Sequence, residues 1–207
     1  MNSIANDITK MTSAIVETGW SMFNGLKKND IILLEEAVEQ LAGIDINANK
    51  IDNKIISRMP LFCQNENNSR ETISYFRIID ECVQTAHLLR YFCKHVTTYI
   101  NEYPSASAKE YIRQIFQYSM DAFEMSAKLI EKRVYVEDIF RQIKTKHMAG
   151  RDLCAKLEKN IEFDLRYAFV HTRILNAAEK LDEIFKKAVM IARIILLMQD
   201  NGKLRIC

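Results

Sequence analysis

Glycine and proline are nearly absent from this chain, five and two among 207 residues, well under ordinary usage. So few turn formers exclude strand-rich folds built on many tight turns. They also exclude glycine-rich loops that cradle phosphate groups and the strand-to-helix elbow that presents a nucleophilic serine. Excess charge of one sign is lacking too. The 29 basic and 27 acidic residues leave a formal net charge of +2 with no block of like charges, so there is no electrostatic footprint for nucleic acid. The longest apolar run, Ala188 to Met198, contains Arg193 and is too short to cross a bilayer, so no membrane span is expected. No basic flank precedes an apolar core at the N-terminus, which argues against a signal peptide. The cysteines, Cys63, Cys82, Cys93, Cys154 and Cys207, are odd in number, form no Cys-x-x-Cys pair and stand at no zinc-ligand spacing with histidine. A cytoplasmic protein with reduced thiols is expected, with Cys82 and Cys93 in its core.

What the chain does have is helical periodicity. Ile4, Ile8, Met11, Ile15, Trp20 and Phe23 predict a first helix from Ser3 to about Leu26. Gly25 and the Lys27-Lys28-Asn29-Asp30 cluster supply its stop and the next N-cap. A second helix is predicted from Asp30 to Met59, its inner stripe running from Leu33 to Ile55 and Ile56, with Pro60 ending it. The polar run Gln64 to Ser69 reads as a loop, with Ser69 capping a third helix that has Ile73 on its inner face and ends near Asn101. Tyr103-Pro104-Ser105 breaks the chain at its midpoint. Helix four spans about Ser107 to Arg133, helix five about Tyr135 to Phe169 with Gly150 a tolerated interruption, and helix six about Thr172 to Gln199. The expected fold is all-α: six long antiparallel helices in an elongated up-down bundle. They form one domain over residues 1–207, made of two three-helix repeats, about 3–101 and 107–199, with Asp52 and Asp164 near the ends of helices two and five.

Two segments, Ile78 to Ala86 and Ala177 to Ile184, carry polar groups four residues apart: Asp80 with Gln84, and Glu179 with Glu183. Residues at i and i+4 share a helix face, so each segment aims two side chains at one point. A ferritin-like di-metal oxidase needs Glu-x-x-His pairs. Gln84, Phe92, Lys144 and Ala168 instead stand three residues before His87, His95, His147 and His171. All four histidines read as structural. The aromatic groups Tyr91, Phe92 and Tyr99, and Tyr111, Phe116 and Tyr118, read as bundle seam rather than a cofactor pocket. Met120, Met125, Met190 and Met198 fill cores or make an adaptable partner surface.

The doubled three-helix arrangement, the stretch Ala48-Asn49-Lys50-Ile51-Asp52-Asn53-Lys54-Ile55-Ile56-Ser57-Arg58-Met59-Pro60 and the segment from Arg70-Glu71-Thr72-Ile73 to Ile79-Asp80-Glu81 resemble the PhoU-like phosphate-uptake regulators. The closer likeness is to the standalone PhoU-related proteins paired with Pit-type phosphate transporters. It spans nearly the whole chain. The resemblance implies a non-enzymatic accessory protein, cytoplasmic and peripheral to the inner membrane, that modulates a phosphate transporter by contact. It also implies metal, divalent or iron, held through an acidic motif that occurs once in each half. By position that motif falls on Asp80 and Gln84, then on Glu179 and Glu183. Only the second copy keeps two carboxylates, and the carboxamide of Gln84 offers an oxygen without charge, which weakens its hold on hard cations. Two alternatives stand beside the regulator. One is a metal-binding bundle using Glu179 and Glu183; the other is a helical scaffold or homo-oligomer assembled through the apolar surface of helix six.

Overall fold

A computed structural model of the chain describes residues 2–62, 66–97, 105–161 and 167–203. Among these it contains α1 (Asn2–Lys28), α2 (Ile31–Leu41), α3 (Ile44–Phe62), α4 (Glu66–Val96), α5 (Ala106–Glu131), α6 (Val136–Asn160) and α7 (Ala168–Lys203), and no strand. The all-α expectation is borne out.

The end of α1 follows from its sequence. Asn29 adopts the left-handed region with φ 55°. The Asp30 amide donates to the Gly25 carbonyl at 2.8 Å and the Asn29 amide to that of Leu26 at 3.4 Å, the paired bonds of a Schellman stop. Gly25 gives this turn room: a Cβ there would lie 3.0 Å from Leu34 Cγ and 3.2 Å from the Asp30 carbonyl oxygen, tighter than ordinary contact. The Asp30 carboxylate then accepts from the Leu33 amide at 3.1 Å, capping α2.

Other boundaries differ from the sequence reading. The expected second helix is two segments, interrupted at Ala42-Gly43, and it continues past Pro60 to Phe62. Proline removes one backbone donor, and so near a helix end the last turn survives it. The predicted loop is helical from Glu66 onward, so Ser69 lies inside α4 rather than capping it. Asparagine costs at most about 0.7 kcal/mol per helical residue. The Thr72 hydroxyl also donates to the Asn68 carbonyl within this turn, at 2.6 Å. The fifth predicted helix stops at Asn160, where Ile161 turns extended, and Phe169 belongs to α7. Ser105 caps α5 by accepting from the Ala108 amide at 3.3 Å. Pro104, Asp164 and the expected end at Asn101 lie outside the described residues.

One continuous core joins all seven helices. Helix α4 packs mainly on α7, while α5 lies against α1, α6 and α7. Phe116 on α5 is fully buried between Phe92, at a ring-centroid distance of 4.8 Å, and Phe23, stacked at 6.0 Å. Two predicted inner residues are outside instead: Ile56 and Ile73 are 55% and 56% exposed. Packing rotates their ends of α3 and α4 so that Ile55 and Thr72 face inward. Within the apolar run of α7, Ala188, Ile191, Ala192, Ile194 and Ile195 are buried in the core. Leu197 in the same run is 51% exposed, and Val189, Met190, Leu196 and Met198 are half-buried. No helix among the described residues is long and apolar enough to cross a membrane.

Candidate functional site

Helices α4 and α7 run antiparallel, as two contacts show. His95 Nδ1 lies 3.3 Å from an Arg173 guanidinium nitrogen, while Lys187, further along α7, reaches back to Gln84 on α4. The Lys187 ammonium donates to Gln84 Oε1 and sits 3.1 Å from Glu81 Oε2. The other side of the Gln84 amide donates to Asp80 Oδ2 at 2.7 Å. The first pair therefore does meet on one face, as its spacing predicts, but an ammonium group occupies the open carboxamide oxygen.

The second pair is divided. Lys180 donates to Glu183 Oε1 at 3.1 Å. Glu183 then lines a shallow cavity of about 300 Å³ together with Gln84, Lys186 and Lys187. Glu179 is exposed and lines a different cavity of about 330 Å³ between α6 and α7, beside Arg151, Cys154 and Asp182. Gln84 and Glu183 are thus brought together, and Asp80 and Glu179 are not. Among the described residues no group of three or more His, Cys, Asp or Glu side chains is arranged to hold a metal ion. In this arrangement Lys187 takes the Gln84 carboxamide oxygen and Lys180 one oxygen of Glu183. Protein purified without chelator is expected to carry well under one equivalent of metal by elemental analysis, unchanged by Glu179→Ala with Glu183→Ala. Stoichiometric metal lost in that variant would contradict this.

Asp52 on α3 feels the charge of Asp80. Burial, and then that charge, push its carboxyl above the ordinary range, and its Oδ1 is buried without a hydrogen-bond partner. A carboxyl raised in the folded state is stabilising when protonated, so Asp52 costs stability at neutral pH and the cost fades as the pH falls through its folded value. Asp52→Asn should raise the melting temperature at pH 7, with a smaller gain at pH 4 by circular dichroism. An equal gain at both would show that ionisation of Asp52 is not the cause.

Asp182 has the opposite sign. Burial pushes its carboxyl up, but hydrogen bonds from Lys186 and His147 outweigh that and hold it below the ordinary value. His147 Nε2 lies 3.0 Å from Asp182 Oδ1 and its ring stacks on Phe185 at 5.4 Å. The stabilisation these hydrogen bonds give the Asp182 carboxylate is present above about pH 3.9, the ordinary carboxyl value, and is lost as the pH falls through the lower folded value. His87 Nε2 lies 2.9 Å from Asp45 Oδ1, and His171 is buried. His87, His95 and His147 make contacts between helices.

The described thiols are held in their protonated form by burial. Burial pushes Cys82 far up, Cys93 to about 12 and Cys154 to about 11, so each is protonated at neutral pH. Cys82 and Cys93 are core residues as expected, and Cys63 and Cys207 lie outside the described residues.

One aromatic departs from the seam reading. Phe92 and Phe116 are buried, but Tyr91 is 57% exposed. It stands between two shallow cavities. The one of about 300 Å³ lies toward α7; the other, about 380 Å³ between α2 and α4, is lined by Val38, His87, Arg90 and Lys94. An exposed tyrosine beside arginine, flanked by concavities, has the composition of a protein contact surface. A signal for it was present: at 100° per residue Tyr91 lies about 200° from Leu89, on the opposite side of the helix. Tyr99 lies outside the described residues. Met120 is buried, and Met125, Met190 and Met198 are half-buried against the core.

A helical bundle with a polar, aromatic face on α4 is the class defined so far. Comparison with solved structures sharpens it. The chain is similar to PhoU from Pseudomonas aeruginosa, with a TM-score of 0.87 at 13% identity over 97% of both chains. It is also similar to the phosphate transport system regulatory protein PhoU from Streptococcus pneumoniae, with a TM-score of 0.76 at 13% identity over 96% of this chain and 94% of that one. The chain has the PhoU fold. No protein-family model and no curated protein matches it.

Proposed function

We propose that this protein is a non-enzymatic regulator of phosphate transport that works by contact with a membrane phosphate transporter of the Pit type, at its cytoplasmic side. The observation that carries this reading is the likeness of fold over 97% of the chain to PhoU, together with the name of the pneumococcal relative as a regulatory protein of a phosphate transport system. Fold alone does not assign function, so the reading also rests on the site. The described thiols, Cys82, Cys93 and Cys154, are protonated at neutral pH. Lys187 ties α7 to Gln84 and Glu81 on α4, and Tyr91, beside Arg90, is exposed. These features favour contact over catalysis. The face centred on Tyr91, with Gln84, His87 and Glu183 around it, is where the transporter would dock. The test is co-purification: tagged protein expressed in its native host and extracted in mild detergent should retain a phosphate transporter, identified by mass spectrometry. Recovery of the protein alone, with the transporter demonstrably present in the extract, would overturn the reading.

A further inference from the structure

Away from that face, α1 and α3 enclose a groove of about 390 Å³ whose charge is not balanced. Lys10 from α1 and Lys50 and Lys54 from α3 line it, against the single carboxylate of Asp7. Asp7 is already paired with Lys54. Lys10 and Lys50 are exposed and make no ion pair with any described residue, so two ammonium groups stand uncompensated on opposite walls. Asn47 adds an amide donor on the α3 wall, and the buried side chains of Met11 and Ile51 form the floor. The spacing explains the arrangement. Asn47, Lys50, Lys54 and Arg58 recur at three and four residues along α3, which places them on one flank of the helix.

We propose that this groove binds a short condensed-phosphate chain. A multivalent oxyanion suits it because ammonium groups act as point charges on mobile stems and bind phosphate oxygens from several directions. A low-dielectric floor strengthens each of those attractions. Other anions fit less well. No aromatic side chain lines the groove, so a nucleotide base has nothing to stack on, and an acidic peptide helix lacks a row of apolar anchor pockets. The site goes beyond the regulatory reading and does not rest on it, since binding is measured on the isolated protein.

Isothermal titration with tripolyphosphate, pyrophosphate, ATP and oligoglutamate decides it. Tripolyphosphate should bind, pyrophosphate more weakly, and ATP about as well as tripolyphosphate because it presents the same chain. Lys10→Gln with Lys50→Gln should weaken tripolyphosphate binding at least tenfold while Lys50→Arg retains it. Raising salt from 50 to 200 mM should weaken it several-fold. Both lysines are exposed, and circular dichroism checks that the variants stay helical. If the double variant does not fold, Lys50→Gln alone should still show a several-fold loss. Absence of tripolyphosphate binding, binding indifferent to Lys10 and Lys50, binding of ATP alone, or tighter binding of oligoglutamate would each overturn the assignment.

Discussion

Phe116→Ala is expected to lower the unfolding free energy by about 3–5 kcal/mol, the usual cost of emptying a buried aromatic site. The magnitude follows from where the ring sits. Phe116 has no exposed surface and bridges α1 and α4 through Phe23 and Phe92. Its loss opens a cavity at the junction of three helices that cannot close without moving one of them. Aromatic pairing adds about 0.5–1.5 kcal/mol per pair beyond area burial, so both contacts push the cost toward the upper end. Trp20, the sole tryptophan, reports the change: its indole donates to Glu124 on α5 at 2.9 Å, so its fluorescence follows the separation of α1 from α5. Denaturant unfolding monitored that way should show a lower midpoint with a similar slope. A loss under about 1 kcal/mol would mean that the three helices do not meet around this ring.

The second large effect concerns the proposed contact face. Arg90→Glu with Tyr91→Ala should weaken capture of the transporter at least tenfold, about 1.4 kcal/mol or more, with the melting temperature nearly unchanged. Tyrosine and arginine dominate binding energy at interfaces because each buries large area with few rotors or through a rigid planar fork. Neither side chain contributes to the core, so a loss of capture cannot be ascribed to unfolding. The control is Lys50→Gln on the α1–α3 side, which should leave capture intact. If the double variant is captured as well as the wild type, the transporter docks elsewhere.

The fold was largely legible because it rests on local signals. Gly25, Asn29 and Asp30 marked a stop and a cap that the structure forms bond for bond. Signals were misread where tertiary packing overrides them. The Asn-rich segment from Glu66 is helical. Ile56 and Ile73, apolar and in phase, are exposed because the core takes only as much of each stripe as the neighbouring helix covers. Gly150 looked like a tolerated interruption. A Cβ there would meet Phe185 Cε2 at 2.5 Å, and Phe185 is fully buried, so α6 and α7 need this glycine to approach each other. Gly150→Ala thus sets a helix-propensity gain of about 1 kcal/mol against an overpacking cost of about 1–3 kcal/mol.

Less of the site could be read. Spacing predicted that Asp80 and Gln84 share a face, and they do, within one helix. It could not predict that Lys187, 103 residues away, takes the far side of Gln84, since that depends on how α4 and α7 slide and rotate against each other. The same register separates Glu179 from Glu183 into different cavities. Tyr91 was legible from its phase, but exposure becomes informative only once the cavities beside it are known.

Phosphate uptake tests the central claim most directly, measured with radiolabelled phosphate in host cells lacking this chain and then supplied with the wild type or the Arg90→Glu, Tyr91→Ala variant at equal abundance. The regulatory account predicts that uptake is altered without the protein, is restored by the wild type and is not restored by the variant. Uptake that is the same with and without the protein, under both phosphate-replete and phosphate-limited growth, would contradict it.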